Sequence, residues 1–143
     1  MHLQMKTIKA EVLKKTKKEI LLQQVDILFN SRMDFADNVK NWEDSQLCFY
    51  LKNIIQGIPF ISDCTILSQE EIEQYYPTSE SRIKFYNSAP ANYWTKTRKD
   101  EMAYAYYKCI DHYGRLVWLS PEITQGVSPA YIIKMPQDIF CLE

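Results

Sequence analysis

The stretch that decides the fold is Met102-Ala103-Tyr104-Ala105-Tyr106-Tyr107-Lys108-Cys109-Ile110, followed by Asp111-His112-Tyr113-Gly114 and Arg115-Leu116-Val117-Trp118-Leu119. In an extended chain successive side chains point to opposite faces. Met102, Tyr104, Tyr106, Lys108 and Ile110 then share one face, while Ala103, Ala105, Tyr107 and Cys109 share the other. Asp111-His112-Tyr113-Gly114 is turn chemistry, so the Arg115–Leu119 run returns as the hairpin partner. Beside this tyrosine-dense hairpin, Asn92-Tyr93-Trp94-Thr95 reads as a short aromatic strand. Pro121 and Pro129 bound a loop, and Ala130–Met135 is a last strand that Pro136 ends.

Toward the N-terminus the pattern changes. Ile8, Ala10 and Val12 alternate, Lys14-Lys15-Thr16-Lys17-Lys18 interrupts, and Glu19–Gln24 resumes. Two readings stand: a hairpin with a basic tip, or one helix over about residues 6–29. Residues 30–44 are polar and turn-rich. From Ser45 to Gln56, Leu47, Leu51, Ile54 and Ile55 fall at helical spacing. Asp44 or Ser45 caps that helix and Gly57 stops it. Cys64–Leu67 is a short strand leading into Ser68-Gln69-Glu70-Glu71, a capping box whose helix ends before Pro77. Residues 78–91 suggest one helical turn at Arg82–Tyr86. Two helices in a strand-rich chain predict α+β, with the helices on one side of a curled antiparallel sheet.

The chain has 143 residues and 17.0 kDa, so a single domain over 1–143 with its own core is expected. Net charge is −1, which argues against a general phosphate or acidic-lipid binder. No apolar run reaches the roughly 18 residues of a membrane helix. The start, Met1-His2-Leu3-Gln4-Met5-Lys6, lacks the apolar stretch of a secretory signal, so a cytoplasmic protein is expected. Cys48, Cys64, Cys109 and Cys141 are scattered among apolar residues and read as reduced, buried thiols. Their even number leaves a disulfide reading open.

Several short motifs follow one another over roughly residues 8–135. They are Val12-Leu13, Ile20-Leu21-Leu22, Trp42-Glu43-Asp44-Ser45 with Leu47 and Leu51-Lys52-Asn53, and Ile66-Leu67-Ser68-Gln69-Glu70-Glu71. Tyr93-Trp94, Asp111-His112-Tyr113-Gly114 and Gly126-Val127-Ser128-Pro129-Ala130 complete the series. In this order they resemble a bacterial family, domain of unknown function 6273, a distant relative of formylglycine-generating enzyme and C-type-lectin-like domains. The resemblance implies a core of that kind. It also implies a bacterial or phage setting, where a stand-alone form fits a mobile-element accessory or inhibitor protein. Ser128 stands where the family usually has arginine, and Trp94-Thr95-Lys96 replaces Trp-Leu-Arg. With only 3 glycines, the family's glycine-rich loops are thinned.

The relatives set two chemical tests. Copper(I) needs a close thiolate pair, which Cys109 and Cys141 do not make in sequence. Calcium needs several convergent oxygens, and Trp42-Glu43-Asp44 reads better as a helix start. Nucleophilic catalysis needs a base beside the nucleophile. Of the two histidines, His2 is terminal and His112 sits in a turn. No catalytic residue, metal site or cofactor is therefore expected, and the protein reads as a non-catalytic binding module.

The 10 tyrosines are the strongest surface signal, because tyrosine offers a rigid contact area with a polar tip. Tyr93, Trp94, Tyr104, Tyr106, Tyr113 and Arg115 are the candidate partner-binding residues, with a protein as partner. Strand alternation requires that some of the hairpin's tyrosines face the core. A second class is a glycan- or small-ligand-binding module, which needs a concave pocket. A third is a nucleic-acid-associated protein using Lys14, Lys15, Lys17, Lys18, Lys96, Arg98 and Lys99, with Tyr93 and Trp94 stacking. Nucleic acid is disfavoured by the near-neutral charge.

Overall fold

The N-terminal segment folds as the hairpin and not as the helix. In a computed structural model describing residues 9–35, 41–101 and 104–136, β1 (Ala10–Lys15) pairs antiparallel with β2 (Glu19–Gln24). Thr16 Oγ1 accepts the amides of Lys18 and Glu19 and closes the basic tip. A bulge between Val12 and Lys14 breaks the expected alternation. Val12 is 60% exposed, and Leu13 packs on the core in its place. Ile8 lies outside the described residues.

Within the turn-rich region the chain forms a short strand, β3 (Phe29–Ser31), and a 3-10 turn over Trp42–Asp44. α1 (Gln46–Ile54) follows, capped by Ser45, whose hydroxyl accepts the Cys48 amide at 3.2 Å. Gly57 sits beyond it at φ +87°. β4 (Asp63–Thr65) leads into α2 (Gln69–Tyr75), whose capping box of Ser68 and Glu71 is complete. The helical turn expected at Arg82–Tyr86 lies earlier, at Glu80–Arg82. Residues Lys84–Tyr86 are instead β5, paired with β6 (Ala89–Ala91). Asn87 and Ser88, at φ 51° and 68°, make the two-residue turn between them. β7 (Tyr93–Glu101) is much longer than expected. β8 (Tyr104–Ile110) and β9 (Leu116–Leu119) form the expected hairpin. The Pro121–Pro129 loop contains β10 (Gln125–Val127), and β11 (Ala130–Lys134) closes the described chain.

The strands make two open sheets and a small hairpin, not one curled sheet. The first sheet runs β1-β2-β11-β4, the second β3-β10-β7-β8-β9. The second contains one parallel contact, Gly126 beside Tyr93. There the Gly126 amide donates to Asn92 O at 2.9 Å, and a Cβ on Gly126 would run into that oxygen and the Ile27 side chain. The architecture is mixed α+β, mostly strands, with two α-helices among the described residues.

Nor do the helices share one side. Consecutive residues of β7 feed two separate cores. Trp94 joins Leu47, Leu51, Cys64, Tyr107 and Cys109 under α1. Tyr93 joins Ile72, Ile27 and Ile110 under α2. Alternation puts these neighbours on opposite faces, so this end of the second sheet is covered twice.

The chain passes between the two larger sheets four times: β2 to β3, β3 to β4, β4 to β7 by way of the β5–β6 hairpin, and β10 to β11. The first and the last of these passages lie side by side. Gln24 N donates to Pro129 O and Leu28 N to Val127 O, both at 2.9 Å. Between them Gln23 Nε2 donates to Ser128 Oγ (2.8 Å) and Ser128 O (3.0 Å). The Ser128 hydroxyl in turn faces Gln24 O at 3.0 Å and Asp26 O at 3.2 Å. All three residues Gln23, Gln24 and Ser128 are buried. Removing one partner of a buried pair strands the other. Ser128→Ala is therefore expected to lower unfolding free energy by about 1–3 kcal/mol. Urea denaturation would show this as a lower midpoint at unchanged slope, and an unchanged midpoint would refute it.

Candidate functional site

The β8–β9 turn sets the geometry of the tyrosine hairpin. Gly114, at φ +82°, donates its amide to Asp111 O at 2.9 Å. Asp111 Oδ1 accepts the amides of Tyr113 and Arg115, each at 2.9 Å, and Oδ2 accepts Arg115 Nε at 3.0 Å. Burial works to raise the Asp111 carboxyl, but these backbone amides and the guanidinium outweigh it and hold it below the ordinary value. The Arg115 guanidinium also lies 4.8 Å from the centre of the Tyr113 ring. Tyr113 and Arg115 are exposed, but both are engaged in shaping this turn.

Beyond the turn, the face shared by Ile110 and the even-numbered residues of β8 opens to solvent. Backbone pairing puts Lys99 beside Tyr106 and Trp118 beside Lys108. Lys108 Nζ is 4.2 Å from the Trp118 ring centre. Lys99 Nζ is 4.7 Å from Trp118 and 5.9 Å from Tyr106. Two ammonium groups thus lie over two aromatic faces, a favourable arrangement for the ring quadrupole. Tyr104, 64% exposed, continues the face to the end of β8. Trp118 and Lys108 were not among the expected site residues. Counting from the closing pair Asp111 and Arg115 places them opposite each other, so the signal was present in the turn.

Two candidates are corrected. Tyr93 and Trp94 are 2% and 1% exposed and belong to the two cores, not to a surface. Tyr93 Oη donates to Arg82 O at 2.5 Å, and Trp94 Nε1 to Ser31 O at 2.9 Å. The double covering of this end of β7 and β8 is the reason. Tyr107 is likewise buried, as alternation requires. Tyr104 and Tyr113 stand at opposite ends of β8, roughly 20 Å apart along the strand. The expected six residues therefore do not make one patch. Tyr104 and Tyr106 share the open face with Lys99, Lys108 and Trp118. The expected places of Met102 and Ala103 lie outside the described residues.

The basic residues do not form one surface either. Lys14, Lys15, Lys17 and Lys18 are exposed at the β1–β2 tip, in the first sheet. Lys96 approaches Glu71 at 3.9 Å, and Arg98 pairs with Asp100 at 2.6 Å. Arg98 pairs in register with the inward-facing Tyr107, so it lies on the opposite face from Lys99. Tyr93 and Trp94, expected to stack beside the second basic group, are buried.

Burial pushes the Cys64 and Cys109 thiols up to about 12 and raises Cys48 as well. All three are free and pack as small hydrophobes. Cys141 and His2 lie outside the described residues. Among the described residues, no group of three or more His, Cys, Asp or Glu gathers to hold a metal. No described helix is long and apolar enough to cross a membrane. A separate cleft of about 430 Å³ lies between β3 and α1, lined by Arg32, Phe35, Gln46 and Tyr50 among others. Compared with known protein families, curated proteins and solved structures, the chain matches none.

One buried charge escaped sequence reading. Lys84 is 4% exposed, and its ammonium donates to Gln24 O (2.5 Å) and Val25 O (3.0 Å). The rings of Tyr76 and Tyr93 lie 5.8 and 5.6 Å away. Burial lowers this lysine from its ordinary 10.5 to about 8, against the opposing pull of Glu11 and Asp26. Between those values the unfolded chain binds more protons than the folded one, so stability rises with pH. The stability of wild type relative to Lys84→Met should rise by up to about 3 kcal/mol from pH 8 to 10.5. The buried tyrosines and thiols act in the opposite sense, and they cancel in this difference. A flat difference across that window, measured by urea titration, would refute the assignment.

Proposed function

We propose that this chain is a non-catalytic binding module that recognises a protein partner through the open face of β7, β8 and β9. The observation that carries this is the placement of Tyr106 and Trp118. Three of the six aromatic residues of these strands, Tyr93, Trp94 and Tyr107, are drawn into a core, whereas these two rings stay partly exposed, bridged by Lys99 and Lys108. Aromatic rings flanked by cations are typical anchors at the centre of protein interfaces.

The family reading belongs with this proposal. The motifs that carry the resemblance fall on consecutive elements, from β1 and β2, through the starts of α1 and α2, to β7, the Asp111 turn and the β10–β11 passage. That order supports a formylglycine-enzyme-like or C-type-lectin-like core trimmed of its glycine-rich loops. It also supports a bacterial or phage accessory or inhibitor protein acting in the cytoplasm. Fold-level analogy sets only the context; the site carries the function.

The second reading, a small-ligand or glycan module, draws on the cleft beside Arg32. Its volume lies in the range of ligand sites. A nucleic-acid role would rest on the β1–β2 tip alone, since Lys96 and Arg98 have partners within the fold.

Tyr106→Ala and Trp118→Ala are expected to weaken capture of the partner at least about tenfold each. Their effect on folding stability should stay within about 1 kcal/mol, because neither ring fills a core. Tyr93→Ala, by contrast, should cost about 3–5 kcal/mol of stability. Affinity capture from bacterial cytoplasm, with and without phage infection, measures the first effect. Unchanged capture by both surface variants would reject the face. Loss of capture on Arg32→Gln with Tyr106→Ala silent would move the site to the cleft.

A further inference from the structure

We infer that the cleft between β3 and α1 is a binding site for a small aromatic acid, a planar ring carrying one carboxylate. This rests on the small-ligand reading of the cleft and names its ligand class. It is independent of the β7–β9 face.

The cleft is built on fixed backbone. β3 is paired with β10 along its length, and Trp94 Nε1 donates to Ser31 O at 2.9 Å. Just beyond β3, the amides of Met33 and Asp34 both donate to Pro121 O, at 2.9 and 3.0 Å. The Leu47 amide donates to Met33 O at 3.1 Å, which ties the first turn of α1 to the same segment. Gln46 and Tyr50, four residues apart, share a face of α1, and both line the cleft. The Tyr50 ring stands edge-on to Phe29, with centres 5.3 Å apart. A pre-formed cleft of about 430 Å³ between elements held in this way is the usual setting of a small-molecule site.

Charge narrows the ligand. Among the described residues that line the cleft, Arg32 alone is charged. Its guanidinium lies 5.9 Å from the centre of the Phe35 ring. Among the described residues that guanidinium makes no ion pair or hydrogen bond. A carboxylate matches such a fork in both shape and charge. The acids near it in sequence do not take that place. Asp34 is buried, and its Oδ1 accepts the Phe35 amide. Asp34 and Glu43 both stand near Tyr107, whose hydroxyl is pushed up to about 12 by burial first and by these carboxylates second. Asp44 and Glu122 do not line the cleft. Asp37 lies outside the described residues. A phosphate monoester would bring nearly two charges to one cation, whereas a carboxylate brings one.

The rings narrow it further. Phe35 and Tyr50 are 44% and 40% exposed, and a ligand ring packed against them would take that apolar surface out of water. Asn30, Gln46 and Thr124 add amide and hydroxyl groups that both donate and accept, enough to orient a substituted ring. A neutral sugar would gain nothing from the cation.

The test titrates 2-naphthoate into the full chain, labelled for amide NMR. Shifts should be largest in residues 30–35 and 46–50, saturate with a Kd at or below about 1 mM, and weaken with salt. Naphthalene-2-carboxamide keeps the ring without the charge, and cyclohexanecarboxylate keeps the charge without the aromatic ring. Each should bind at least about tenfold more weakly. Arg32→Gln should lose at least about tenfold in affinity for the naphthoate and bind the carboxamide as wild type does. The Arg32 side chain is exposed, so the urea midpoint of this variant should match wild type. If that midpoint falls, the comparison of naphthoate with carboxamide on wild type decides. No saturable shift in these residues at about 5 mM naphthoate overturns the proposal. Equal binding of the carboxamide, or unchanged affinity in a folded Arg32→Gln, does so as well. Tighter binding of 2-naphthyl phosphate would replace the carboxylate with a phosphate and overturn it too. If methyl β-glucoside saturates the same residues and the naphthoate does not, the cleft remains a ligand site and the acid alone fails. If neither binds there, the small-ligand reading fails with it.

Discussion

Gln23 and Ser128 are 105 positions apart, yet the Gln23 side-chain amide donates to both the hydroxyl and the carbonyl of Ser128 in a buried site. That contact holds together two of the four passages by which the chain crosses between its larger sheets, β2 to β3 and β10 to β11. Each passage frees backbone groups that neither sheet's ladder can satisfy, and buried backbone groups without partners are costly. The Ser128 hydroxyl and the Lys84 ammonium take up the Gln24 carbonyl, while Tyr131 Oη bonds the Gln24 side chain. Once the passages are pinned, β11 is seated between β2 and β4, and β10 is carried to the end of β7. One strand of each sheet, β11 in the first and β10 in the second, is thus placed from this contact.

The location of the open face follows from the same constraint. Because β10 and β3 come in beside Tyr93, the near end of β7 is packed by α1 on one face and by α2 with the β5–β6 hairpin on the other. Among the described residues the far end has no such cover on the face of Tyr104, Tyr106 and Lys108. A strand pair buried on both faces at one end and on one face at the other has to change composition along its length. The sequence does so, from Tyr93-Trp94 and Cys109-Ile110 to alternating tyrosine, alanine and lysine. The aromatic content of the hairpin therefore serves two purposes, core at one end and surface at the other.

Local chemistry made much of this legible. The Ser68–Glu71 box, the Ser45 cap, the Asp111–Gly114 turn and the Pro136 stop each act within a few residues, and each appears where the sequence places it. The elements that were missed, β3, β5, β6 and β10, are three residues long and exist because a partner strand from elsewhere pairs with them. Such strands leave almost no periodic signal. Val12 misled for a related reason: a bulge shifted the inward position to Leu13, and bulges are set by the partner strand. The same limit misplaced Tyr93 and Trp94. Aromatic residues in a short strand look alike whether they face a partner or a second core, and only the tertiary covering separates the two.

Lys84 shows how the crossover tolerates a charge in a buried place. Among the described residues its ammonium has no carboxylate within hydrogen-bond reach, and an unpaired buried charge is ordinarily expelled or neutralised. Here it meets two carbonyls released by the β2–β3 passage, Gln24 O and Val25 O, and the faces of two tyrosine rings. Four partial negative charges replace part of the lost hydration, so the cost is reduced but still visible in the depressed pKa near 8. Ser128 contributes only a neutral hydroxyl to the same carbonyl. The positive charge at this crossing is thus delivered from β5, which ties the small β5–β6 hairpin to the passage between the sheets. A neutral, shorter residue at position 84 would loosen that hairpin and with it the cover over Tyr93.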